Sequence, residues 1–136
     1  MKISIETVVK SDLDTVWLVW NNPEDIKQWN TASEDWHTTK STVDLRDGGT
    51  FFSRMEAKDG SMGFDFCGTY SKILEKQLIE YSIGDGRTVV IKFSLVENGI
   101  KVEETFEAES QNQAEPQRQG WQSILNNFAK YVESKN

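Results

Sequence analysis

Val43-Asp44-Leu45-Arg46-Asp47-Gly48-Gly49-Thr50-Phe51 reads as a strand broken by a Gly-Gly turn into a second strand, and Gly120-Trp121-Gln122-Ser123-Ile124-Leu125-Asn126-Asn127-Phe128 as part of a long helix that closes the chain. Outward from Gln122, the apolar residues Trp121, Ile124, Leu125, Phe128, Tyr131 and Val132 fall at i, i+3, i+4, i+7, i+10 and i+11. That spacing predicts an amphipathic helix of about five turns, roughly 30 Å long. Burying those six side chains would contribute on the order of 10 kcal/mol before conformational entropy. Asn112 is the expected cap, with Glu115 three residues on and Pro116 in the first turn, where a missing N–H matters little. Gly120 interrupts the helix at about 1 kcal/mol relative to alanine; close approach to a strand and space kept for a ligand both account for it.

Between the two stretches the residues alternate, and three hairpins can be tested by register. A two-residue turn at Asn98-Gly99 sets Leu95 opposite Val102, Phe93 opposite Glu104 and Ile91 opposite Phe106, with the apolar residues on one side. Asp59-Gly60 sets Met55 opposite Phe64, Ser53 opposite Phe66 and Phe51 opposite Gly68, and pairs Arg54 with Asp65 on the outer side. At Gly84-Asp85-Gly86 a three-residue bulged loop, which faces Tyr81 with Val89, keeps the faces consistent. Ahead of these, Lys2 to Lys10 alternates as a first strand. Ser11 and Asp14 suggest a capping box for a helix carrying Val16, Trp17 and Trp20. Asn22-Pro23-Glu24-Asp25 opens a second short helix with Ile26 and Trp29 on its apolar side. Residues 30–40 show no clean period and read as a loop.

Composition narrows the function. At 136 residues the chain, 1–136, is expected to be one domain, with no repeat, linker or low-complexity tract. A net charge of −7 without a basic stripe argues against nucleic acid and against an anionic membrane surface. No apolar run approaches the ~20 residues of a membrane span, and no charged-then-apolar signal segment is expected. Cys67 is the lone cysteine, so no internal disulfide forms; a reducing, cytoplasmic location is expected. His37 is the only histidine and sits without a nearby nucleophile. No catalytic set, metal set, phosphate loop or cofactor motif is expected, since one His and one Cys do not close a tetrahedral site. Five Trp and seven Phe imply a core built of rings, which often leave a concave apolar pocket.

Trp17, the Asn22-Pro23-Glu24 to Trp29 segment, Asp44-Leu45-Arg46-Asp47-Gly48-Gly49, Asp59-Gly60, Gly68-Thr69-Tyr70 and Gly120-Trp121 occur in one order along nearly the whole chain. In that set the chain resembles the activator of heat-shock-protein-90 ATPase homologue family, a branch of the START-like, Bet v-like, SRPBCC superfamily. The resemblance implies an α+β helix-grip fold: a curved antiparallel sheet of six or seven strands around a long C-terminal helix, with two short helices after the first strand. It also implies a cavity between sheet and helix, which relatives use for lipids, polyketides or flavonoid-like molecules. Some relatives cyclise polyketides, and in the namesake co-chaperone this domain is one of two, whereas a single domain is expected here.

The expectation is therefore a non-enzymatic protein that binds an apolar or aromatic small molecule between the concave sheet face and the last helix. Its candidate ligand-binding residues are Trp29, Phe51, Phe66, Phe93, Glu104, Arg118 and Trp121. An enzyme of cyclase or hydrolase type using Glu104 or Arg118 is one alternative. A module that modulates a chaperone is another; a chaperone or a second copy of the chain would be its protein partner. Trp17 is expected in the core, with Trp29 and Trp36 towards the pocket mouth. Arg46 is expected to fix its turn through Asp44 and Asp47. Glu104 is the one charged residue on the inner face. It must pair with a cation, for which Arg118 is the candidate, reach solvent through the mouth, or hold its proton.

Overall fold

The computed structural model describes residues 1–84, 86–110 and 113–135. In it the chain runs β1 (Lys2–Val9), α1 (Leu13–Asn21), α2 (Pro23–Trp29), β2 (Trp36–Val43), β3 (Thr50–Ala57), β4 (Gly63–Leu74), β5 (Leu78–Ile83), β6 (Thr88–Val96), β7 (Gly99–Glu107) and α3 (Ala114–Glu133). The seven strands form one antiparallel sheet in the order β1-β7-β6-β5-β4-β3-β2, so six strands meander and the first returns beside the last. Register shifts at Thr38/Lys40 and Tyr70/Lys72 bend their strands. The sheet curls into a half-barrel around α3, the α+β helix-grip fold. Strict alternation of buried and half-exposed residues along β5 and β7 marks one face as the core.

Two of the expected registers hold. Met55–Phe64, Ser53–Phe66 and Phe51–Gly68 face each other, and Arg54 Nη1 lies 3.1 Å from Asp65 Oδ1. Tyr81 faces Val89 across the loop between Ile83 and Arg87, where Gly86 adopts φ +88°; Asp85 lies outside the described residues. The β6–β7 hairpin is displaced by two residues. Its turn is Glu97-Asn98, Val96 pairs with Gly99, Phe93 with Val102 and Ile91 with Glu104. A slip of two keeps every side chain on its face, so the apolar pattern cannot tell the registers apart. Gly99 serves as the first residue of β7 at φ +147°, where an added Cβ would fall 2.2 Å from the Val9 carbonyl oxygen.

Three local expectations are corrected. Asp12, rather than Ser11, caps α1 by accepting the Thr15 N–H at 2.8 Å. Pro23 stands in the first turn of α2, but Asn22 does not cap with its side chain; its amide donates to Asp25 Oδ2 at 2.9 Å. Of the residues 30–40 expected to form a loop, 36–40 belong instead to the strand β2 (Trp36–Val43), so His37 sits in β2 opposite Glu56. The bulge at Thr39 destroys the period of two, while the β-branched Thr38, Thr39, Thr42 and Val43 supply the strand preference. Asn112 lies outside the described residues, and Gln113, at the N-cap of α3, makes no side-chain cap.

Leu125, Phe128 and Val132 of α3 are fully buried, whereas Trp121, Ile124 and Tyr131 are half-buried against the core. The helix is pinned at both ends. Gln117 accepts the Glu109 N–H at 2.7 Å and donates to the Glu109 carbonyl at 3.0 Å. Near its C-terminus, Tyr131 O–H donates to Asp25 at 2.6 Å, with Lys135 Nζ 3.4 Å from the same oxygen. Burial by itself would raise the Asp25 carboxyl, but the bonds from Tyr131 and Asn22 and the Lys135 charge hold it below its ordinary value. An added Cβ at Gly120 would meet nothing within 4 Å, so close approach to a strand does not explain this glycine.

Candidate functional site

Where α3 leaves the sheet, the large residues do not fill the space, and a cavity of about 240 Å³ remains. Its floor is the inner face of β3, β4 and β5. Phe51 and Ser53 come from β3, Phe66 and Tyr70 from β4, and Tyr81 from β5. Glu104 enters from β7, Trp121 and Ile124 from α3, and Trp20 and Trp29 from the short helices. The alternation that buries each strand's core residues aims these side chains inward. The rings hold one another in place. Phe51 lies 4.7 Å from Tyr81 and 5.6 Å from Phe66, and Phe66 lies 6.1 Å edge-on from Trp121. Trp121 itself stacks on Phe106 at 4.1 Å and 10°. Such offset and edge contacts fix ring orientation as well as burying area.

One end of the half-barrel is closed by a second ring group. Trp20, Trp29 and Phe128 meet pairwise at 4.9–5.0 Å, and Phe93 packs edge-on against Trp17 at 5.2 Å and Trp20 at 5.8 Å. The Trp29 indole N–H is satisfied by the Val19 carbonyl at 3.1 Å. Trp20 and Trp29 therefore both plug the end and wall the cavity, whereas Trp17 belongs to the plug alone. Trp36 stands apart, 5.8 Å from the half-exposed Phe64 on the β2–β4 side.

Glu104 is the singular group of this site. It is 6 % exposed, with Ile5 and Ile91 beside it on the neighbouring strands. Among the described residues no side chain forms a hydrogen bond or ion pair with it. Burial pushes its carboxyl up to about 8. Burial and the neighbouring Glu104 likewise push the Tyr81 phenol well above its ordinary value. Ser41 Oγ is the only fully enclosed side-chain polar atom lacking a partner among the described residues. The Glu104 carboxyl thus keeps a window onto the cavity rather than being sealed in the wall.

Of the residues singled out from sequence, the structure brings Trp29, Phe51, Phe66, Glu104 and Trp121 to this cavity and leaves two outside. Phe93 belongs to the ring plug. Arg118 bonds Glu115, three residues earlier on its own helix, at 3.2 Å and is solvent-exposed, so it is not the partner of Glu104. Tyr70, Tyr81, Ser53 and Trp20 were not singled out. Tyr81 was legible, because the register that faces it with Val89 puts it on the inner side. Arg46 pairs with Asp44 at 2.9 Å, but Asp47 instead accepts the Ile73 N–H at 2.8 Å, tying the Gly-Gly turn to β4. Among the described residues there is no cluster of three or more His, Cys, Asp or Glu able to hold a metal, and no helix is long and apolar enough to cross a membrane. Cys67 is exposed on the outer face, opposite Phe52.

Comparison with known proteins places this geometry. The family model described as "Activator of Hsp90 ATPase homolog 1-like protein" matches residues 10–133. A solution structure of an AHSA1-like protein from Aeromonas hydrophila is 47% identical, with 99% of this chain and 94% of that chain covered and a TM-score of 0.94. A protein from Cytophaga hutchinsonii is 45% identical over 98% of this chain and 93% of that one, with a TM-score of 0.85. A crystal structure from Nitrosomonas europaea, 17% identical over 99% and 96% of the two chains, shares the fold at a TM-score of 0.84. None of the curated proteins matches the chain.

Proposed function

Since the chain belongs to the family of Activator of Hsp90 ATPase homolog 1-like proteins, we propose that it is a non-enzymatic, cytoplasmic small-molecule binding protein whose ligand lies between the sheet and α3. The observation that carries this reading is the ring-walled cavity itself. Its walls are apolar, its polar groups few, and the side chains around it are oriented by their own contacts rather than by a ligand. Sites of this kind usually span roughly 300–1,000 Å³. At about 240 Å³ this one lies just below that range and suits a compound of one or two rings better than a diacyl lipid. Phe51, Phe66 and Trp121 would clasp the ring faces, Trp29 would close the inner end, and Glu104 would supply the polar contact.

The test is chemical-shift mapping of the labelled protein with neutral one- and two-ring compounds and, separately, with nucleotides. Shifts confined to residues around Phe51, Tyr81 and Trp121 are the expected result. A nucleotide binding while every ring compound failed would overturn the reading.

The family's description supports a second reading, a module acting on a chaperone. Met62, apolar and exposed at the β3–β4 hairpin and outside the cavity, belongs to the surface it would use. Stimulation of the ATPase of an Hsp90-type chaperone by the purified chain, lost on Met62→Ser, is the observation that would favour it.

A further inference from the structure

We propose that the cavity selects compounds carrying one basic nitrogen, held as a cation beside the Glu104 carboxylate and among the surrounding ring faces. This rests on the cavity being a ligand site and adds the chemistry of the ligand. Among the described residues no Lys, Arg or His lines the cavity, and Glu104 is its only carboxylate. Among the described residues no cation faces Glu104 and no side chain is hydrogen-bonded to it. The neighbouring strands present Ile5 and Ile91, and α3 presents Trp121 and Ile124 to the cavity. The other titratable side chains in the wall are the Tyr70 and Tyr81 phenols. The second buried acid, Asp25, is already held by Tyr131, Asn22 and Lys135 and takes no part.

The three ligand classes then separate on elementary grounds. An anionic compound would meet a carboxyl group and no counter-charge. A neutral hydrocarbon would leave that carboxyl without a partner, at the cost attached to an unsatisfied buried polar group. An ammonium gives it a charge-assisted hydrogen bond. The cation also lies against the negative faces of rings such as Phe51, Tyr81 and Trp121, each of which attracts positive charge. The proton balance follows. In the protein alone at neutral pH Glu104 holds its proton, because burial pushes it up to about 8. A protonated amine entering the cavity forms the ion pair only as that proton leaves for solvent, so binding releases up to one proton per ligand.

The experiment is isothermal titration of the full chain with three probes of one shape: naphthylmethylamine, naphthylmethanol and naphthoate. The amine is expected to bind at least about tenfold more tightly than the alcohol, and naphthoate most weakly. Repeating the amine titration near pH 7 in two buffers of different ionisation enthalpy should show release approaching one proton. Glu104→Gln should bring the amine down to the alcohol's affinity, whereas Arg118→Gln, outside the cavity, should keep the ranking. An alcohol that binds as well as the amine, or an amine that binds without proton release, overturns the inference and leaves the cavity a ligand site. Failure of all three probes overturns both. The proton count is read on the unmodified chain, so an absence of release overturns the inference even if the Glu104→Gln variant does not fold.

Discussion

Replacing Glu104 by glutamine should remove one component of the pH dependence of stability. In the folded chain the carboxyl is pushed up to about 8 from an ordinary value of 4.5. Its protonated form is therefore favoured by folding. The stability associated with that proton is complete below 4.5 and is lost as the pH rises towards 8, because the folded state binds more protons than the unfolded state across this window. At about 1.4 kcal/mol per pH unit, the loss is about 3 kcal/mol by pH 7 and about 5 kcal/mol once Glu104 has ionised. A glutamine side chain at this position has the same shape and no proton to lose. Urea unfolding of the two proteins from about pH 5 to about pH 9 isolates this contribution, since every other titrating group is common to both. The variant should gain on the unmodified chain steadily up to pH ~8 and then hold a constant lead. A difference that stays flat across the range would mean that Glu104 ionises freely in the folded state, and the description of it as a carboxyl in an apolar wall would be wrong.

Trp121→Ala should cost about 2 kcal/mol in urea unfolding, below the range for a fully buried ring, because the ring is half-buried although stacked on Phe106; a loss below about 0.5 kcal/mol would show that the stack does not hold α3. Gly99→Val should cost more than about 2 kcal/mol, since the new Cβ collides with the Val9 carbonyl. Gly120→Ala, with open space at the same test, should stabilise by about 0.5–1 kcal/mol; equal effects of the two glycine changes would refute the distinction. Tyr131→Phe removes the 2.6 Å bond to Asp25, and it should cost about 1–2 kcal/mol and raise the Asp25 carboxyl, measurable by NMR titration.

Much of this architecture could be read from the chain because its strands alternate strongly and its last helix carries a continuous apolar stripe. The β3–β4 and β5–β6 registers followed from requiring one face to be apolar. The same requirement failed at β6–β7, where a shift of two residues satisfies it equally well and the deciding contact, Gly99 against Val9, comes from a strand about ninety positions away. The first half of β2 lacks a readable period because the bulge between Thr38 and Lys40 interrupts it. Of the seven residues expected to bind a ligand, five lie along the cavity. Phe93 has the right face but lies nearer the tryptophan end of the sheet, a position along the strand that periodicity does not report. For Arg118 the partner is Glu115, at helical spacing on its own helix, rather than a carboxylate on a distant strand.

The pairing of the first strand with the last has a consequence for how the chain acquires its shape. β2 to β7 are joined by short connections and can assemble in sequence, each hairpin forming against the one before. β1 has no such neighbour: Lys2 meets Glu107 and Val9 meets Ile100. In this fold it waits, through the synthesis of about a hundred residues, for the strand it pairs with, and α3 then packs against it. Contacts of such large sequence separation belong to chains that fold in milliseconds to seconds rather than microseconds. On the ribosome the first strand would leave the tunnel long before its partner, with Ile3, Ile5 and Val9 uncovered until β7 arrives.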